Sequence, residues 1–373
     1  MKNYTLFALL AVSALALFLG CRDNQRSGNV VLTTPRVETA AEATAEATAK
    51  PTAGAATEAV AGAGERGQLR TGLGVITTLS SSRPASGESN GQAQIDSTLV
   101  AITVNEQGVI TRASFDAAQT RIAFNAQGQI VTDLFAQVRT KNELGDAYNM
   151  RRVSGIGKEY NEQLAALEAW AIGRTPTEFM AMALNDGRAV TADLTASVTV
   201  NISSYLTAMN RAVSNLRTGD ATRGHRTGLG VVTDISASRS ATADQAGRAR
   251  VTSYYAVLTL NNDNIIVSAW IDGSQADVDF DATGALVSSI SYPVLTRFEM
   301  GDTYGMRRAS AIGREWNEQM LDFARWMVGK TPAQVIGMRL NDGHPADADL
   351  TASVTINMIS MLEAVARAAE NAR

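Results

Sequence analysis

The chain has 373 residues, of which 45% are hydrophobic and 19% charged, with net charge −4 and a single cysteine. One cysteine excludes any internal disulfide, so folded parts must be stable through their cores alone. The acidic balance, without a basic stripe, excludes nucleic acid as a sensible partner.

At the N-terminus, Lys2 precedes the apolar run "YTLFALLAVSALALFLG", which ends directly at Cys21. The run is too short for a good membrane span and reads as the core of a signal peptide. Gly20 before Cys21 suits a lipoprotein signal peptidase, so residues 1–20 are predicted to be a leader and Cys21 the lipidation site. Diacylation there supplies a stable membrane anchor. This places the remainder outside the cytoplasm, on the extracytoplasmic face. Residues 22–69 are Ala-, Thr- and Glu-rich without aromatics, so they cannot bury enough apolar surface to offset ordering entropy. They read as a tether, which with Cys21 makes a 21–69 segment.

Beyond residue 69 the chain repeats itself at an offset of 156. "RTGLGVITTLSSSR" at 70–83 returns as "RTGLGVVTDISASR" at 226–239, and "ELGDAYNMRR" at 143–152 as "EMGDTYGMRR" at 299–308. About 64 of 147 aligned positions are identical. A two-copy repeat this long predicts two globular domains, 70–217 and 226–373, joined by a linker at 218–225.

Each copy opens with predicted strands. In the first these are "TGLGVITTLSS", "QIDSTLVAITV", "VITRASFDA" and "RIAFNA", with polar turns such as "NEQG" and "NAQG". In the second they are "YYAVLTL", "NIIVSAWID", "DVDFDATG" and "LVSSISY". Helices follow: "GIGKEYNEQLAALEAWAIG" and "AIGREWNEQMLDFARWMVG" carry apolar residues at helical spacing and end at Gly173 and Gly329. Thr175-Pro176 and Thr331-Pro332 signal further helix starts, and "LNDG" at 184–187 and 340–343 reads as a turn. Strands first and helices afterwards predict an α+β class with antiparallel sheets.

Before the last helix of each copy stands one phrase, "DLTASVTVN" at 193–201 and "DLTASVTIN" at 349–357. It reads either as a helix entry constrained by turn geometry or as a functional segment. Asp193 lies six residues before Thr199, as Asp349 does before Thr355.

These features together resemble the FMN-binding domain of exported flavoproteins. That family includes a subunit of the sodium-pumping quinone reductases and tandem-domain surface lipoproteins of Gram-positive extracellular electron transfer. "VNEQGVI" at 104–110 and "LNNDNII" at 260–266 occupy the place of its polar turn. Glu143-Leu144-Gly145-Asp146 and Glu299-Met300-Gly301-Asp302 resemble its E-T-P-G-L-G loop. Its D-x-x-S-G-A-T motif corresponds to the repeated phrase, with Ser197 and Ser353 standing where the family has Gly. The resemblance implies FMN as cofactor, esterified by a flavin transferase to Thr199 and Thr355. It further implies that Asp193 and Asp349 orient the phrase, and that Glu143, Asp146, Glu299 and Asp302 line the flavin site. The implied function is electron transfer with redox proteins or a quinone, by a shuttle rather than a substrate-specific enzyme. The rival reading is a surface binding or scaffold lipoprotein of the same fold without flavin.

Other candidates are weaker. His225 and His344 lack metal-ligand spacing, so no metal site is expected. Arg151-Arg152 and Arg307-Arg308 read equally as phosphate ligands or a solvated pair. Trp170, Trp326, Tyr160 and Trp316 read as core, with flavin stacking as the alternative. No Ser-His-Asp set supports a hydrolase.

Overall fold

A computed structural model describes residues 68–219 and 225–373. The expected leader, Cys21 and most of the tether lie outside the described residues.

Helices follow antiparallel strands twice over, as the α+β reading expects. The first series is β1 (Leu69–Thr78), β2 (Gly91–Val104), β3 (Ile110–Phe124), α1 (Lys141–Leu144), α2 (Tyr160–Ala171) and α3 (Pro176–Met180). It continues through a hairpin of β4 (Leu184–Asn185) and β5 (Arg188–Ala189), then α4 (Ala192–Thr195), α5 (Ser203–Ser214) and β6 (Arg217–Gly219). The second series runs β7 (Arg226–Asp234), β8 (Gly247–Leu260), β9 (Ile266–Phe280), α6 (Arg297–Met300), α7 (Trp316–Met327) and α8 (Pro332–Ile336). It closes with β10 (Leu340–Asn341), β11 (His344–Pro345), α9 (Ala348–Thr351) and α10 (Ile359–Glu370).

One sheet has the order β3-β2-β1-β6 and the other β7-β8-β9. "VITRASFDA" and "RIAFNA" run as one strand, because the Ala-Gln-Thr between them offers no turn residue; β9 likewise passes through Gly273. "LVSSISY" forms no continuous strand. Ser288 Oγ accepts the Asp279 N–H at 2.9 Å, so a hydroxyl takes a ladder position there. The "LNDG" turns are two-residue hairpins with Asp186 and Gly187 at positive φ, the conformation this hairpin class needs.

The two sheets face one another and the long helices cover their outer faces. Leu73, Val75 and Leu99 of the first sheet share a cluster with Leu229, Tyr255 and Val257 of the second. On the opposite face of β1, a Cβ at Gly72 or Gly74 would overlap the carbonyls of Ala212 and Ala208 on α5. Gly228 and Gly230 stand in the same relation to Ala368 and Ala364 on α10. The repeated Thr-Gly-Leu-Gly-Val phrase therefore alternates sheet-facing Leu and Val with glycines that admit a helix.

Contacts between the repeats are reciprocal. Arg211 pairs with Glu299 at 2.8 Å and Arg367 with Glu143 at 2.8 Å. The Ala85 N–H donates to Gly284 O and the Ala241 N–H to Gly128 O. Phe124 stacks on its own counterpart Phe280 with centroids 4.0 Å apart. Four equivalent hydroxyls, Thr71, Thr103, Thr227 and Thr259, satisfy one another in the buried inter-sheet space at 2.8–3.3 Å. All described residues belong to one compact unit. Such pairing, each patch meeting its own equivalent, is the geometry of an isologous dimer built within one chain.

Candidate functional site

The repeated phrase folds as a single helical turn followed by an extended exit. Leu194 and Val198 are buried, Ser197 and Thr199 half-buried, and Asp193 exposed in the first turn of α4. Leu350, Val354, Ser353, Thr355 and Asp349 repeat this pattern.

What holds the threonine is a fully buried glutamine on the central helix. Gln163 Oε1 accepts the Thr199 N–H at 2.8 Å, the Thr199 hydroxyl at 3.2 Å and the Val200 N–H at 3.2 Å. Gln319 accepts the Thr355 N–H at 2.9 Å and its hydroxyl at 3.3 Å. The amide ends of both glutamines donate backwards, Gln163 to Lys158 O and Gln319 to Arg314 O. A second buried side chain of the same helix secures the preceding loop. Glu159 accepts the N–H groups of Met150 and Arg151 at 2.9 and 2.8 Å, and Glu315 does the same for Met306 and Arg307. Near-identity of the phrase thus follows in part from a rigid scaffold of helix, loop and extended exit.

Thr199 also lines a cleft of about 930 Å³ on the outer face of the first sheet. Its walls include the strand residues Asp96 and Thr98, the cations Lys141 and Arg188, the loop residue Ser154 and Ser203 at the start of α5. The Lys141 ammonium lies 4.6 Å from the Tyr160 ring centroid and 5.0 Å from that of Tyr148. Arg188 Nε donates to Thr199 O at 3.0 Å. Asp96 Oδ2 accepts from Gln94, whereas its buried Oδ1 has no hydrogen-bond partner. The Tyr160 and Tyr205 hydroxyls meet at 2.5 Å, and burial raises both phenols above their ordinary range. Thr355 lines a smaller cleft of about 400 Å³ with Ser310, His344 and Asn357.

The remaining sequence candidates sit elsewhere. Glu143 and Glu299 close capping boxes with Thr140 and Thr296 and ion-pair across the repeats. Neither lines the Thr199 or the Thr355 cleft. Asp146 and Asp302 are exposed partners of Arg151 and Arg307 at 3.0 and 2.9 Å. Those arginines also bridge to Glu162 and Glu318. Asp193 and Asp349 line neither cleft. Of the four aromatics, Tyr160 reaches the large cleft and Trp316 is core. Trp170 and Trp326 are covered by the cations of Arg174 and Lys330.

Two buried acids went unforeseen. Asp116 and Asp272, equivalent residues of β3 and β9, are each pushed up to about 7 by burial. Asp116 Oδ1 accepts N–H groups from Ala117 and Asn142, and Asp272 Oδ1 those of Gly273 and Phe298. The signal for all of these lies in the repeat itself: Asp116, Glu159 and Gln163 are polar positions kept identical inside otherwise apolar elements.

The cleft in the first repeat has the size and charge to take a small anionic ligand. Its volume falls in the range of small-molecule sites. Lys141 and Arg188 offer positive charge, and Ser203 and Ser204 in the first turn of α5 line the same cavity. Among the described residues no group of three or more metal-ligating side chains comes together, and no helix is long and apolar enough to cross a membrane. No family model, curated protein or solved structure matches the chain.

Proposed function

We propose that this is an exported, lipid-anchored electron-transfer protein that holds FMN in the cleft beside Thr199. One observation carries the reading. The threonine that resemblance marks for flavin attachment lines a cleft of about 930 Å³ furnished with two cations and a helix start. When bound, FMN supplies reversible redox chemistry, and the protein's part is position and electrostatics. Lys141, Arg188 and the first turn of α5 hold the phosphate end. Tyr160 and the strand residues form the wall for the ring. Gln163 fixes the Thr199 hydroxyl at the cleft lining, where a flavin transferase finds it in a defined place. Among the described residues the partner of that hydroxyl is the neutral amide of Gln163 and not a base, so the chain is read as the substrate of attachment. Thr355 marks the equivalent place in the second repeat, and Cys21 supplies the anchor to the membrane. Redox proteins or a quinone complete the path.

A flavin-free scaffold is the second reading. It is favoured by Arg151 and Arg307, whose guanidinium groups are committed to Asp146, Glu162, Asp302 and Glu318. Titration of the purified chain with FMN, followed by flavin fluorescence, separates the two. The flavoprotein reading expects saturable quenching that weakens at least about tenfold in Lys141→Ala, a loss of roughly 1.4 kcal/mol. Absence of binding in the parent chain supports the scaffold.

A further inference from the structure

We propose that the two repeats have divided their roles: the first is the ligand-binding half, and in the second the same space is closed by the protein's own side chains. Each chain then takes one ligand with an anionic end. Naming that ligand FMN rests on the reading above; the asymmetry itself does not.

The two clefts differ at equivalent positions. Asp96, Thr98, Lys141 and Tyr160 line the first cleft. Their counterparts are Thr252, Tyr254, Arg297 and Trp316. Arg297 is only 7% exposed, and its guanidinium sits 5.2, 5.5 and 5.7 Å from the ring centroids of Tyr254, Tyr304 and Trp316. Lys141, by contrast, is half-buried and faces the cavity. Where Ala117 lines the first cleft, the second repeat has Gly273. A Cβ there would come within 3.6 Å of the Tyr254 ring and 3.7 Å of Arg297 Nη1. A cation between aromatic rings therefore occupies the floor of the second cleft. What remains are its two ends, about 400 Å³ beside Thr355 and about 310 Å³ beside Val232, Asp234 and Ser360, against one cleft of about 930 Å³ in the first repeat.

The pattern recurs at an independent place. Ser114 and Asn142 border an open polar pocket of about 330 Å³. Their counterparts Trp270 and Phe298 stand 4.8 Å apart, with Arg217 over both rings at 4.7 and 5.3 Å. In both places the second repeat has aromatic rings where the first has small or polar side chains; Lys141 also lies over Tyr148 and Tyr160, yet it stays on the cavity wall, whereas Arg297 is enclosed. The exchange of Asp96 for Thr252 also removes a carboxylate from the wall in the second repeat.

Thiol accessibility tests this without knowledge of the ligand. Ala117 lines the first cleft and its counterpart Gly273 faces Tyr254 and Arg297, so a cysteine at either place reports the space before it. In the full chain carrying Cys21→Ser, Ala117→Cys should react with a maleimide at least about tenfold faster than Gly273→Cys. Adding Tyr254→Thr and Arg297→Lys should raise the Gly273→Cys rate toward that of Ala117→Cys. FMN should protect Ala117→Cys at one equivalent per chain. Equal rates for the two thiols, or protection of both by two equivalents, would overturn the division of roles. Unequal rates without FMN protection would uphold it and count against the flavin.

Discussion

Gln163 and Gln319 show how a single buried side chain can dictate a sequence phrase. Each carbonyl oxygen accepts both the N–H and the hydroxyl of its threonine, and each amide is spent on the preceding loop. Replacing Gln163 by Leu leaves buried N–H groups without a partner, so urea unfolding should show a loss of about 2–3 kcal/mol. A loss below about 0.5 kcal/mol would mean that the phrase is fixed by something else. Asp116 and Asp272 carry the opposite lesson, because burial raises both to about 7. Above the unfolded value of 3.8 the denatured chain ionises while the folded chain keeps its protons, so stability falls from about pH 4 to about pH 7. Glu178 and Glu318, held low by hydrogen bonds and Arg307, act in the other direction at lower pH. The double variant Asp116→Asn, Asp272→Asn should therefore gain roughly 1–3 kcal/mol at pH 8. Its stability should also change less between pH 5 and 8, and an unaltered pH slope would show that these carboxyls do not titrate in that window.

At the scale of elements, the glycines of β1 and β7 set the distance between sheet and helix. Gly74→Ala should cost about 2–4 kcal/mol in thermal or urea unfolding, because the new methyl meets the Ala208 carbonyl of α5. Gly108→Ala, in an open turn at φ +77°, should cost only about 1 kcal/mol. Equal costs would contradict the close packing. Elements were legible where periodicity and caps agree: α2 and α7 were read from apolar spacing, and α3 and α8 from Thr-Pro starts. Strand continuity through Ala117–Thr120 was not legible, because two strand-like runs separated by small residues look the same whether or not the chain turns between them. The 286–292 segment misled for a related reason: its alternation of Val, Ser and Ile is strand-like, yet the Ser288 hydroxyl takes a ladder contact.

For the whole molecule, duplication was plain in the sequence, but the way the copies meet was not. Leu73, Val75, Tyr255 and Val257 read as ordinary strand residues, and nothing local marks them as facing the other repeat. The same limit applies to the clefts. Thr199 and Thr355 are identical in sequence context, whereas the space before them is decided by Thr98 against Tyr254 and Lys141 against Arg297, residues far away in the chain. The central claim is that FMN is carried at Thr199. Its most direct test is the intact mass of the denatured chain after co-expression with a flavin transferase, read beside in-gel flavin fluorescence. The account predicts one FMN increment, lost in Thr199→Ala and kept in Thr355→Ala. An unmodified mass in a chain that is also colourless when native would contradict it.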